Sequence, residues 1–335
     1  MLPNLGPVGP FPDAPLGDHL ERRWLHYAFR SPSGDVSVIA NLSTLGSSGP
    51  AAVGQSMSIL LVHDREAGWH SSQFNASVTP RAWSSFGASK SPSRMRISSP
   101  THGPSVDLRL TRTGRPCTSQ CAPFGLDQHL RWQSEPGIRA TGVTAASGGD
   151  ERPVRLVGYH ERVRGRWGWP DLGGWVFGFV NDTPAPSGPP AYSVVFTLIT
   201  PRDNADAATG SVMLWRSGRL VRHFPRRRID VAVSGSLSRD DVHVLPPLAA
   251  TLGTAPTAEV PARLVIVAQT GDDRLCIDVD ARTAGRIVNS SELGLAPFSV
   301  HEVLGPAVVT GHVGGRQLGF TAGAVVEFAG GAHAD

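Results

Sequence analysis

Cysteine is scarce in this chain, and the three present, Cys117, Cys121 and Cys276, cannot build a disulfide framework. The odd count points to a reducing compartment. Cys117 and Cys121 have a metal-like separation, but no second pair and no nearby paired histidines complete a zinc site, so no metal is expected. Long apolar runs are also missing: none approaches the roughly 20 residues of a spanning helix, which argues against a membrane span. The stretch from Met1 to Pro15 is rich in proline and glycine and lacks the basic start and apolar segment of a secretory signal, so the expected location is cytoplasmic. Lysine is nearly absent, with Lys90 the single one, and arginine carries the positive charge, as in proteins of GC-rich genomes. There is no Gly-x-Ser-x-Gly elbow, no Gly-Lys-Ser/Thr phosphate loop and no Gly-x-Gly-x-x-Gly opening a helix. Serine-hydrolase, P-loop and dinucleotide chemistry are set aside on that ground, and no cofactor is expected.

What is present is a chain of 335 residues with 40% hydrophobic and 18% charged residues, enough to bury a sizeable core and long enough for about two domains. The formal charge is +3, and the run Arg226-Arg227-Arg228 lies near Arg216, Arg219 and Arg222. No ribonucleoprotein motif, zinc-finger spacing or basic helix accompanies that run, so it reads as a solvated face and no nucleic-acid partner is expected.

Short apolar or alternating runs recur from Val36 to Phe328, each bounded by Gly, Pro, Ser or Asn. No long stretch of 3.6-residue period competes with them. This pattern predicts an all-β barrel or sandwich. Two loop-like segments, Thr183 to Pro190 and Pro246 to Pro261, offer a boundary between halves. The more proline-dense first one divides the chain into residues 1–186 and 187–335, each with strands enough to close a barrel and hide its edges. Gly311 to Gly315 is a hairpin signal.

The stretch Gly158 to Gly165, followed by Asp171 to Gly178, concentrates ionisable and aromatic side chains on two neighbouring extended segments. Alternation places Val157, Tyr159, Glu161 and Val163 on one face of the first segment. Leu156, Gly158, His160, Arg162 and Arg164 fall on the other. Trp175, Phe177 and Phe179 share a face of the second, and would lie beside the ionisable strand if the two segments pair as a hairpin. Such a combination suits a pocket for an apolar molecule.

These residues resemble the tandem lipocalin-like family that includes carotenoid 1,2-hydratases, AttH-like proteins and Diels–Alderases of natural-product pathways. Glu21-Arg22-Arg23-Trp24-Leu25-His26-Tyr27 is similar to the family's opening strand, and Gly158-Tyr159-His160-Glu161 with Gly165 and Gly174-Trp175 to its central block. Gly311-His312-Val313-Gly314-Gly315, Gly319 and Glu327 are similar to its closing hairpin. The resemblance implies two tandem lipocalin-like β-barrels with a ligand pocket at or near their interface. In hydratase-like members the slots of Arg162 and Arg164 hold His and Trp, and a Tyr-x-Asp appears where this chain has Tyr192-Ser193-Val194. A guanidinium is no practical proton donor at neutral pH, although it can polarise a carbonyl.

The resulting expectation is a cofactor-independent cyclase or isomerase of secondary metabolism, shaping a small hydrophobic polyene or polyketide-type substrate. A carotenoid-hydratase-like hydro-lyase and a non-catalytic carrier of apolar metabolites are the alternatives. Tyr159, His160, Glu161 and Arg162 are the candidates for polarising a carbonyl or moving a proton. Trp24, Tyr27, Trp132, Trp167, Trp175, Phe177 and Tyr192 are the candidate substrate-binding residues, and the pair His301-Glu302 is the candidate in the second half. Glu327 is expected to be a structural hydrogen-bond partner.

Overall fold

The computed structural model describes residues 20–46, 54–78, 94–97, 103–123, 128–168, 172–183, 188–201, 208–245, 260–287 and 298–331. The proline-rich N-terminal stretch, Lys90, Asp171 and most of the loops 183–190 and 246–261 lie outside them. The described residues are almost entirely antiparallel strand, with two 3-10 turns, at Arg226–Arg228 and Arg239–Asp241. No helix among them is long and apolar enough to cross a membrane.

Two compact units divide between Trp167 and Gly168. The first holds β1 (Glu21–Arg30), β2 (Val36–Leu45), β3 (Gly54–Asp64), β4 (Gly68–Val78), β5 (Arg94–Ile97), β6 (Ser105–Thr111), β7 (Cys117–Pro123), β8 (His129–Ala145) and β9 (Arg152–Arg166). The second holds β10 (Leu172–Asn181), β11 (Tyr192–Pro201), β12 (Thr209–Arg216), β13 (Arg219–Pro225), β14 (Ile229–Ser236), β15 (Val242–Leu245), β16 (Pro261–Thr270), β17 (Asp273–Asp280), β18 (Thr283–Ile287), β19 (Phe298–Val313) and β20 (Arg316–Gly331). The division therefore falls ahead of the proline-dense segment that suggested residue 186. β10 hydrogen-bonds to β11 and β20, so it belongs to the second sheet.

The two sheets repeat one topology. Their orders are β4-β3-β2-β1-β9-β8-β6-β5 and β13-β12-β11-β10-β20-β19-β17-β16-β14, so in each the first strand sits between the second and the last. In the first unit Phe29, Val38, Leu60, Leu108, Ile138 and Leu156 form one core although β3 and β6 are five strands apart in the sheet, so the sheet curls until its far strands share a filling. The second unit does the same around Val194, Phe196, Leu214, Ile266, Ile277 and Val326. The turn between β19 and β20 is Gly314-Gly315 with φ 59° and 72°, the pairing that a two-residue hairpin requires and that the glycine signal anticipates.

β9 lies between β1 and β8 in close backbone contact. A Cβ on Gly158 would stand 2.0 Å from the Ala28 carbonyl oxygen and 2.5 Å from the Phe29 ring. Gly158→Ala is expected to lower stability by at least ~1–3 kcal/mol, the range for overpacking. A urea midpoint within error of wild type would refute the close approach.

Candidate functional site

β9 pairs with β1 on one side and β8 on the other, and not with β10; the hairpin suggested by sequence proximity is not formed. The aromatic face of Trp175, Phe177 and Phe179 therefore belongs to a different sheet from Glu161. Alternation along β9 holds, and its two faces carry two different constellations.

On one face the Glu161 carboxylate, 2% exposed, accepts three bonds. Trp24 Nε1 donates to Oε1 at 2.9 Å, while Trp132 Nε1 and Tyr159 OH donate to Oε2 at 2.6 and 2.8 Å. Ser134 Oγ lies 2.7 Å from the Tyr159 hydroxyl and 2.9 Å from Ser119 Oγ. Trp24 meets Trp132 and Trp167 edge-on, with centroids 5.8 and 5.4 Å away. Burial, reinforced by the charge of Glu161, holds the Tyr159 phenol well above its ordinary pKa, so it stays protonated. Arg162 and Arg164 are on the opposite face of β9. A carboxylate engaged by three neutral donors is an acceptor in a buried network.

The second unit repeats part of this arrangement at the same register. Trp24 sits two residues before the cross-strand partner of Glu161, and Trp175 sits two residues before Phe177, the partner of Glu327. Trp175 Nε1 donates to Glu327 Oε1. Glu327 lies directly opposite Glu302, and burial raises its pKa against the opposing hydrogen bonds from Glu302 and Trp175. His301 is on the other face of β19, and burial lowers its pKa to about 4.

The other face of β9 points into the curled sheet. Cross-strand rows run Phe29–Gly158–Ile138, then Tyr27–His160–Glu135, then Leu25–Arg162–Gln133, then Arg23–Arg164–Arg131. The interior thus grades from apolar to polar along three adjacent strands. His160 stacks flat on Tyr27, with centroids 3.9 Å apart and planes 5° apart. Burial drops its pKa to about 3, so the ring is neutral. Its Nδ1 is 2.8 Å from the His26 carbonyl oxygen, a contact that requires the proton on Nδ1 and leaves Nε2 as a bare acceptor. That Nε2 is buried and has no hydrogen-bond partner among the described residues.

Glu135, 1% exposed, is held by Arg112 through two parallel bonds, one at 2.8 Å from Nε to Oε1 and one from the terminal nitrogen to Oε2. Burial raises the Glu135 pKa while Arg112 opposes the shift. Arg162 donates to Gln133 Oε1 at 3.3 Å, and neither Gln133 Nε2 nor Thr118 Oγ1 beside it in the same row has a partner among the described residues. This band offers guanidinium and amide donors, a bare imidazole acceptor and two hydroxyls. It can bind and polarise an oxygen function. Its one buried acid, Glu135, is committed to Arg112.

Of the expected binding residues, Trp132, Trp167 and Phe177 are sealed in packing and Trp175 nearly so, whereas Trp24, Tyr27 and Tyr192 keep part of their surface. Tyr192 stacks on Phe320 in the second unit. Glu135, Gln133, Thr118 and Arg112 escaped the sequence reading. The first two alternate along β8 toward the same face, a usable signal had the β8–β9 pairing been known; Arg112 follows the end of β6 and carries no such signal. All three cysteines are free. Within either unit taken alone, no three metal-ligating side chains converge among the described residues.

The same two-sheet topology occurs in solved structures. A putative AttH from Nitrosomonas europaea superposes with a TM-score of 0.64 over 97% of this chain and 100% of its own, at 14% identity. The fold is that of the AttH-like proteins. Kievitone hydratase from Nectria haematococca shares the AttH-like fold with a TM-score of 0.57 at 11% identity, over 91% of this chain and 88% of its own. CghA, solved with Sch210972, does so with a TM-score of 0.55 at 10% identity, over 93% and 88%. No protein-family model matches the sequence, and no curated protein is detectably similar to it.

Proposed function

We propose that this AttH-like protein is a cofactor-free cyclase or isomerase that holds a flexible, largely apolar polyene or polyketide-type substrate and polarises its carbonyl. One observation carries the reading: the inner face of the first unit passes from Phe29, Gly158 and Ile138 directly into the band of Tyr27, His160, Arg162 and Gln133. A ring closure of the pericyclic kind needs no nucleophile. It needs restricted conformations, reacting carbons near contact, and electron withdrawal from the acceptor alkene. Arg162 supplies the withdrawal by hydrogen-bonding a conjugated carbonyl oxygen.

Hydration of an alkene would need an acid able to protonate carbon. In the first unit, whose inner face carries the reading, Glu161 is engaged by three donors and Glu135 by Arg112, while the guanidinium of Arg162 holds its proton too firmly. The names of the solved relatives, a hydratase among them, are compatible with catalysis on this fold.

The test is incubation of the purified protein with linear polyenes bearing a conjugated carbonyl, in water enriched in oxygen-18, with products weighed. A product isomeric with its precursor is expected. A product heavier by one labelled water means hydration, and unchanged ligand means carriage; either defeats the proposal. Arg162→Met should lower turnover by roughly 100-fold, as loss of a single oxyanion donor does elsewhere. Arg162→Lys should recover only part of it, because the planar fork is lost.

A further inference from the structure

The rows of β1, β9 and β8 end, on the same inner face as His160, in three arginines set side by side: Arg23, Arg164 and Arg131. Arg162 stands in the row behind them. Like charges directly opposite one another across strands destabilise a sheet, so such a row calls for a counter-charge. Glu21 supplies one to Arg23, at 2.5 Å. Among the described residues neither Arg131 nor Arg164 has a carboxylate partner, and Glu135 is already bound by Arg112. Arg164 is exposed and Arg131 half-buried, so both are open to a ligand. A second observation points to the same place. Gln133 Nε2 and Thr118 Oγ1, on buried side chains in the adjoining row, have no hydrogen-bond partner among the described residues, nor does His160 Nε2 in the row beyond. Buried polar groups are rarely left so unless something else binds them.

We propose that this band is a site for the carboxylate or enolate head of an amphipathic molecule, with Arg131 and Arg164 holding the anion, Gln133 and Thr118 hydrogen-bonding it, and the apolar tail running past Leu25 toward Tyr27. The substrate class named here deepens the preceding reading of the same face: a polyene or polyketide-type chain carrying an acidic oxygen head. Guanidinium forks match a carboxylate in plane and charge, and the neighbouring amide and hydroxyl complete its shell. The arrangement selects an anion with a tail over an equally long neutral chain, because a neutral head leaves the arginine row uncompensated.

The experiment is titration calorimetry on the full chain with dodecanoate, dodecan-1-ol, acetate and inorganic phosphate, all below micelle-forming concentrations. Dodecanoate is expected to bind at least 10-fold tighter than dodecan-1-ol, with acetate and phosphate weaker still, and its affinity should fall as salt rises. Arg131→Gln with Arg164→Gln should abolish the preference for dodecanoate over dodecan-1-ol. Since it removes facing like charges, its melting temperature should equal or exceed that of wild type, which separates lost binding from lost folding. Equal affinity for acid and alcohol, phosphate binding as tight as dodecanoate, no binding at all, or a folded double variant that keeps the preference would each overturn the proposal. A protein that shows the preference yet converts no polyene overturns the cyclase reading alone. One that cyclises neutral polyenes without any preference for the acid overturns this proposal alone.

Discussion

Replacing Glu161 by leucine is expected to cost about 2–6 kcal/mol of stability, roughly 1–3 kcal/mol for each of the two enclosed neutral donors, Trp132 and Tyr159, that lose this acceptor. The reason lies in what remains. Trp132 Nε1 would lose its 2.6 Å bond to the carboxylate and keep a 3.4 Å contact with the Tyr159 hydroxyl, and both side chains are wholly enclosed, so water cannot replace the lost acceptor. Trp24 is half-buried and can recover a hydrogen bond to solvent. Glu161→Gln should cost less, about 1–3 kcal/mol, because one oxygen survives while the new amide faces an indole or phenol donor. A double-mutant cycle with Trp24→Phe tests the pairing: the combined cost of Glu161→Leu and Trp24→Phe should fall short of the sum, since they share a bond. Urea denaturation gives all four values. A Glu161→Leu loss below about 1 kcal/mol would show that the three donors do not depend on this carboxylate.

Breaking the Arg112–Glu135 pair should be as damaging, and asymmetric. Arg112→Met leaves a carboxylate in the interior without compensation and is expected to cost about 3–5 kcal/mol at pH 8. Glu135→Gln is expected to cost clearly less, because Arg112 is partly exposed and its charge can turn to water. The pH dependence follows from the raised Glu135 pKa, whose first cause is burial. An acid whose folded pKa lies above its unfolded one contributes its full stability below the unfolded value, and that contribution is lost as pH rises through the folded value. Without Arg112 the folded value rises further, so the Arg112→Met deficit should shrink steadily from pH 8 to pH 5 as folded Glu135 takes up a proton. A deficit independent of pH, or equal losses in the two variants, would contradict an uncompensated buried charge as the cause.

Both predictions concern residues that are unequally visible in the amino-acid sequence. Tyr159, His160, Glu161 and Arg162 stand out together, and the two-residue period of a strand correctly separates Tyr159 and Glu161 from His160 and Arg162. Trp24 and Trp132 are visible as aromatic residues suited to a pocket wall. Their work for Glu161 is hydrogen bonding, which depends on β1 and β8 flanking β9 from 137 and 29 residues away along the chain. Proximity misled in one instance: β9 and β10 are neighbours in sequence but lie in different sheets, because the repeat ends at Trp167 and a new one starts with β10.

By itself, then, the sequence determined the all-β architecture, the turns at glycine, the resemblance to tandem lipocalin-like proteins and the face on which each residue of β9 falls. These are local properties, set by punctuation and by a period of two. Only the tertiary structure decided which strands flank β9, and so which partners Glu161, Glu135 and Arg164 meet. Pairing in an antiparallel sheet joins residues far apart in the chain, and the rows that mix charge with apolar packing exist only once those strands lie side by side.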